Sequence, residues 1–96
     1  MTDAGRHLTL VAYDSPSASR RRRLSAALTI RGQRVQKSVF LLWLNERGRE
    51  QVRHALMRIA TADDSVVVMP VCARCQALAH RHNVALPQTR RGWLVA

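Results

Sequence analysis

The chain has 96 residues, 47% apolar and 23% charged, which bounds it to one folded domain with a modest core. Sixteen Lys and Arg against six Asp and Glu give a formal charge of +10, and Lys37 is the sole lysine. That surplus points to a polyanionic partner, nucleic acid first. The aromatic residues are only Tyr13, Phe40, Trp43 and Trp93, too few for the base-stacking surface of a single-strand binder.

Thr2–Arg6 reads as a frayed start. Residues 1–6 lack the apolar core of a secretory signal, and no apolar run approaches the ~20 residues of a membrane span. The reading is therefore cytoplasmic, with Cys72 and Cys75 reduced. His7–Tyr13 is rich in β-formers and lies between Gly5 and an Asp-Ser-Pro turn, so it reads as a strand. Only Thr9 is polar within Leu8–Tyr13, which suits a central strand covered on both faces. Ser15 before Pro16 has the pattern of an N-cap followed by proline at the first helical position. A helix is expected from there to about Arg31, with Gly32 ending it and Leu24, Ala27 and Leu28 buried.

Arg34–Leu44 holds no turn residue, so it reads as one long bent strand or two strands joined by a bulge. Strand alternation would place Gln36 and Ser38 on the face of Phe40. A second helix is expected from near Asn45 to about Ala60, with Val52, Leu56 and Ile59 on its buried side. Asp63-Asp64-Ser65 reads as a turn, and Val66–Met69 as a strand stopped by Pro70. Asn83–Leu86 reads as a short last strand, and 88–96 as a basic tail closing on Trp93-Leu94-Val95. Residues 1–87 then form one α+β domain of ferredoxin-like βαββαβ order with an extra C-terminal strand. Two helices on one sheet face leave the other face apolar, and a symmetric homodimer would cover it.

Three constellations carry chemistry. Arg20, Arg21, Arg22 and Arg23 open the first helix, where positive side chains oppose the helix dipole; a nearby anion would offset that. Guanidinium groups fork onto phosphate oxygens, so these four, with Arg34 and Lys37, are the candidate nucleic-acid contacts. Asp14, at the strand end, is either a turn former or a ligand for a hard cation. One carboxylate per chain is thin for Mg²⁺, and a two-fold axis near Asp14 would supply a second. Cys72 and Cys75 have metal-ligand spacing, and His80 and His82 would complete a zinc set, but the histidines are poorly spaced for it. Low-pKa thiol chemistry is disfavoured, because no thioredoxin-like βαβ context surrounds the pair. His7 and His54 read as structural or exposed, and no Ser/His/Asp set is legible.

Val11-Ala12-Tyr13-Asp14, Arg20–Leu24, Gly32 with Arg34-Val35-Gln36-Lys37-Ser38-Val39-Phe40, and Asp64 through Cys75 together resemble the second universal CRISPR-associated protein family. This is the small endoribonuclease-type subunit of the spacer-adaptation machinery. The resemblance runs in order over about residues 7–75, and Gln36-Lys37-Ser38-Val39-Phe40 is its most specific piece. It implies a ferredoxin-like homodimer and Mg²⁺ shared by Asp14 of both protomers, with Asp14 catalytic in an endonuclease. Arg21, Arg23 and Arg34 fall on basic positions important in the family, and Tyr13, Gln36, Ser38 and Phe40 lie inside its motifs. It also implies a partnership with two integrase dimers and binding of a spacer duplex, of DNA or RNA. Where many relatives carry acids, this chain has Leu41 and Ser15-Pro16-Ser17, so fewer carboxylates stand near the implied metal. A generic ferredoxin-like RNA-binding module without catalysis is the alternative, and the lack of stacking aromatics counts against it.

Overall fold

A computed structural model describes residues 6–78. The elements are β1 (His7–Asp14), α1 (Ala18–Thr29), β2 (Gln33–Gln36), β3 (Val39–Leu44), α2 (Glu46–Met57), β4 (Ser65–Val71) and α3 (Ala73–Leu78). The four strands form one antiparallel sheet in the order β2-β3-β1-β4, which with the two long helices gives the ferredoxin-like βαββαβ arrangement. The strand expected at Asn83–Leu86 and the tail at 88–96 lie outside the described residues. None of the helices described is long and apolar enough to cross a membrane.

Strand alternation sorts the side chains into two faces. Thr9, Val11 and Tyr13 of β1 share one face with Phe40, Leu42 and Leu44 of β3. Leu24 and Leu28 of α1 and Val52 and Leu56 of α2 close over them as a single core. Each such leucine or phenylalanine contributes roughly 1.5–3 kcal/mol through burial. At the end of α1 the chain presses directly on β3. A methyl group at Gly32 would lie 2.5 Å from Leu42 Cγ and 2.6 Å from the Leu41 carbonyl, so only glycine fits.

The opposite face carries Leu10 and Ala12 of β1, Val39 and Leu41 of β3, and Val67 and Met69 of β4. Among the described residues α1 and α2 both pack on the first face, and on this one Val67 and Met69 are 47% and 49% exposed. Within the described residues the helices thus cover one face of β1, and the other is the apolar face expected to need cover.

Several local expectations are corrected. The N-cap of α1 is Ser17, whose hydroxyl accepts from the Arg20 amide at 3.2 Å. Ser15 is instead buried, and its hydroxyl accepts from the Ser17 amide at 3.1 Å. The helix therefore starts later than the Ser-Pro signature indicates. The run 34–44 is a hairpin with Lys37 and Ser38 as its two-residue turn. A bulge does occur, but inside β2: Arg34 faces Phe40 and Gln36 faces Val39, leaving Val35 as the extra residue. Gln36 accordingly lies across from Val39, not on the face of Phe40. Pro70 does not stop β4. It sits within the strand opposite Thr9, and β4 is an edge strand, where a missing amide hydrogen is tolerated. α2 starts as expected, with Asn45 Oδ1 accepting from the Gly48 amide at 2.7 Å.

Candidate nucleic-acid interface

β1 and the β2–β3 hairpin bring four residues of the sequence motifs together. The Tyr13 amide donates to the Ser38 carbonyl at 3.1 Å, tying the end of the first strand to the hairpin turn. The Tyr13 and Phe40 rings stack with centroids 6.4 Å apart, and the Arg34 guanidinium lies 5.3 Å from the Phe40 centroid. Arg34 also donates to the Ser25 hydroxyl of α1. Tyr13 and Phe40 are buried, so they act as the platform beneath Arg34.

Between α1 and the hairpin runs an open groove of about 750 Å³, lined by Tyr13, Arg21, Arg22, Ser25, Arg34, Lys37 and Ser38 among others. Four of these are cationic and none is acidic. α1 contributes Arg21, which flanks the Leu24–Leu28 stripe one turn before it, and Arg22, which helix periodicity turns away from that stripe. Arg21 donates to the Ser15 carbonyl at 2.8 Å, which fixes its stem across the helix start. The side chains of Arg22, Arg23 and Lys37 have no hydrogen bond or ion pair among the described residues, and all three are exposed. Gln36 is exposed at the end of β2.

Arg20 is placed differently. Its Nε lies 2.8 Å and its Nη2 3.3 Å from the two carboxylate oxygens of Asp64, a forked ion pair that joins α1 to the turn before β4. The Asp64 side chain is fully covered. The Ser15 hydroxyl, then Arg20, and the Thr61 amide at 2.9 Å hydrogen-bond it and hold its carboxyl down at about 2. Sequence reading treated Asp64 as part of a turn; its partner is 44 residues away, so no local signal marks it.

The sign of its pH dependence follows. A carboxyl lower in the folded chain than the ordinary value of about 3.9 stabilises the fold fully above that value. The contribution is lost as pH falls through about 2. Urea midpoints of the wild type and Asp64→Asn should therefore differ most above about pH 4 and converge towards pH 2. A gap that stays constant across that window would show that the charge of Asp64 does not matter.

Asp14 does not enter the arginine groove. Alternation places it on the open sheet face, opposite Ser65, where it is exposed. A hollow of about 200 Å³ there is lined by Ala12, Tyr13, Asp14, Ser65 and Val67. Tyr13 borders both surfaces, so the groove and the hollow lie on opposite sides of one strand end. Among the described residues no cluster of three or more acids, histidines or cysteines could hold a metal. One chain thus offers Mg²⁺ a single carboxylate beside the Ser65 hydroxyl, and a second copy across the open face is what would make the donor set adequate. Ser15 is occupied with Asp64. Leu41 lies on the open face beside Leu10. His7 is exposed, and His54 is an exposed neighbour of Glu50 at 3.6 Å, as expected. His80 and His82 lie outside the described residues.

Residues 7–78 match the family model described as CRISPR associated protein Cas2. A curated protein of Thermus thermophilus named "CRISPR-associated endonuclease Cas2 2" is 37% identical over 75 residues, covering 77% of this chain and 83% of its own length. Among solved structures, a hypothetical protein from Thermus thermophilus is 38% identical with a TM-score of 0.68, covering 72% of this chain and 85% of that one. Streptococcus pyogenes Cas2 shares the fold with a TM-score of 0.69 at 24% identity, over 79% of this chain and 99% of that one.

Proposed function

From the premise that the chain belongs to the CRISPR-associated Cas2 family, we propose that it is a spacer-adaptation subunit: a homodimer that binds duplex nucleic acid through its phosphate backbone. The observation that carries this reading is the acid-free groove of Arg21, Arg22, Arg34 and Lys37, continued on the exposed side of α1 by Arg23. Arg21 and Arg34 are anchored by hydrogen bonds to Ser15 and Ser25, and Arg22 and Lys37 extend from the same helix and hairpin without a partner among the described residues. Guanidinium groups on a rigid frame suit phosphate oxygens and read no base edges, so the binding is sequence-neutral. Arg20, committed to Asp64, supports the frame more than the contact. In this reading two copies meet through the open apolar face, and integrase dimers flank them on the bound duplex.

The position of Asp14 favours a second activity on the same dimer. It stands at the margin of the open face, so a two-fold related copy would bring a second Asp14 towards it. The two carboxylates would hold Mg²⁺, which supplies charge stabilisation for phosphodiester hydrolysis when bound. Asp14 and Ser65 in this chain contribute a carboxylate and a hydroxyl to that hollow, and the arginine groove holds the duplex nearby.

Asp14→Ala separates the two activities. The variant should lose Mg²⁺-dependent cleavage and bind duplex with the affinity of the wild type, because Asp14 lies outside the groove. Equal cleavage by both forms would remove Asp14 from the chemistry. Loss of binding in the variant would contradict the separation of groove and hollow.

A further inference from the structure

The pair Cys72 and Cys75 is used by neither the groove nor the hollow. Both thiols are exposed and free. Cys72 directly follows Val71, the last residue of β4, which is paired with Leu8 of β1. The Gln76 amide donates to the Cys72 carbonyl at 3.1 Å, closing a helical turn that contains both cysteines. The Gln76 side chain donates in turn to the Val71 carbonyl at 3.0 Å. The turn is therefore pinned to the sheet at its first residue.

Helical geometry over three residues sets the two Cα atoms about 5 Å apart. A disulfide spans Cα separations of about 4.4–6.8 Å, so the bond can close without moving the backbone. Hydrogen bonding between them lowers the Cys72 thiol from its ordinary value and raises that of Cys75. The backbone amides of Cys75 and Arg74 add to the lowering at Cys72. These bonds favour the thiolate at Cys72 and the protonated thiol at Cys75, an asymmetry that separates an attacking from a resolving sulfur.

We propose that Cys72 and Cys75 form a reversible dithiol–disulfide pair that exchanges with small-molecule disulfides, with Cys72 attacking and Cys75 resolving. The Cys72 thiolate attacks one sulfur of the disulfide R–S–S–R, forming a mixed disulfide and expelling R–S⁻, which takes a proton from water. Cys75 then loses its proton and attacks the Cys72 sulfur, closing the internal bond and expelling the second R–S⁻. In sum, R–S–S–R is reduced to two R–SH while the two cysteines are oxidised to one disulfide. The site is independent of the nucleic-acid reading and needs no catalytic metal.

Oxidised glutathione is the probe, with free thiols and intact mass followed over time under anaerobic conditions. The wild-type chain should lose two hydrogens and retain no glutathione. Cys75→Ser should keep one glutathione on Cys72, and Cys72→Ser should react at least roughly tenfold more slowly than Cys75→Ser. Since both side chains are exposed, neither substitution disturbs the core. Persistent glutathione on both wild-type cysteines, chains cross-linked to one another, no reaction, or equal rates in the two variants would each overturn the proposal.

Discussion

Replacing Arg22, Arg23 and Lys37 together with alanine should weaken duplex binding by about 10²-fold at 0.1 M salt, because each phosphate contact contributes about 0.9 to the slope of log K against log salt. The slope itself should fall by about 0.9 for every phosphate no longer touched. These three are the clean choice. Their side chains are exposed and take no partner among the described residues, so their loss should leave stability within about 0.5 kcal/mol. Arg21 and Arg34 also line the groove, but each holds an internal hydrogen bond, and removing either would loosen the frame as well as the contact. Arg20→Ala is the natural control. It strips Asp64 of its forked partner and should lower stability, with less effect on the slope than the triple variant. A triple variant that binds as tightly as the wild type, with an unchanged slope, would place the phosphate contacts elsewhere.

The second large effect is expected at the open face. Met69→Arg puts a guanidinium in the middle of an apolar surface, opposite Leu10 and one position beyond Val68 on the edge strand. The side chain is half-exposed in the single chain, so the monomer can keep its charge in water and its fold. In a sheet-to-sheet dimer the same charge would be buried without a partner, which is costly. Self-association should weaken by more than about 100-fold, equivalent to roughly 2.7 kcal/mol. Sedimentation across a concentration series reads it directly. Cleavage should fall with it, since a lone chain presents only one Asp14. A variant that sediments as the wild type does would remove the open face from the dimer interface.

The central architecture was legible because its signals are local. A run of β-forming residues between turn residues marked β1, and the spacing of Leu24 and Leu28, and of Val52 and Leu56, marked two helices facing one sheet. What escaped was set by contacts distant in sequence or by turns with unremarkable residues. The Lys37-Ser38 turn has no glycine or asparagine, so nothing in the sequence distinguished a tight hairpin from a continuous strand. Ser15 carries the residue type of an N-cap, but the hydroxyl is drawn inward to Asp64, and Ser17 caps the helix instead. Pro70 read as a strand end because only the sheet order reveals that β4 lies at an edge.

The candidate site was legible in composition and blurred in geometry. Four consecutive arginines read as one phosphate-binding unit, yet helix periodicity gives them different surroundings. Arg21 and Arg22 reach the groove, Arg23 stays exposed beside it, and Arg20 turns to Asp64. Asp14 and the arginines follow one another along the chain, but the strand's alternation sends the carboxylate to the other side of the sheet. That separation is why binding and cleavage are expected to come apart on mutation. The motif residues Tyr13, Ser38 and Phe40 are explained by the same geometry, since they tie the hairpin to β1 and support Arg34, which reaches Ser25 of α1.

The salt dependence of duplex binding by the wild-type protein tests phosphate recognition by the groove cations most directly. Affinity for two duplexes of unrelated sequence should fall steeply with salt, along parallel lines and with nearly equal intercepts. An affinity that hardly changes with salt, or that differs strongly between the two sequences, would contradict it.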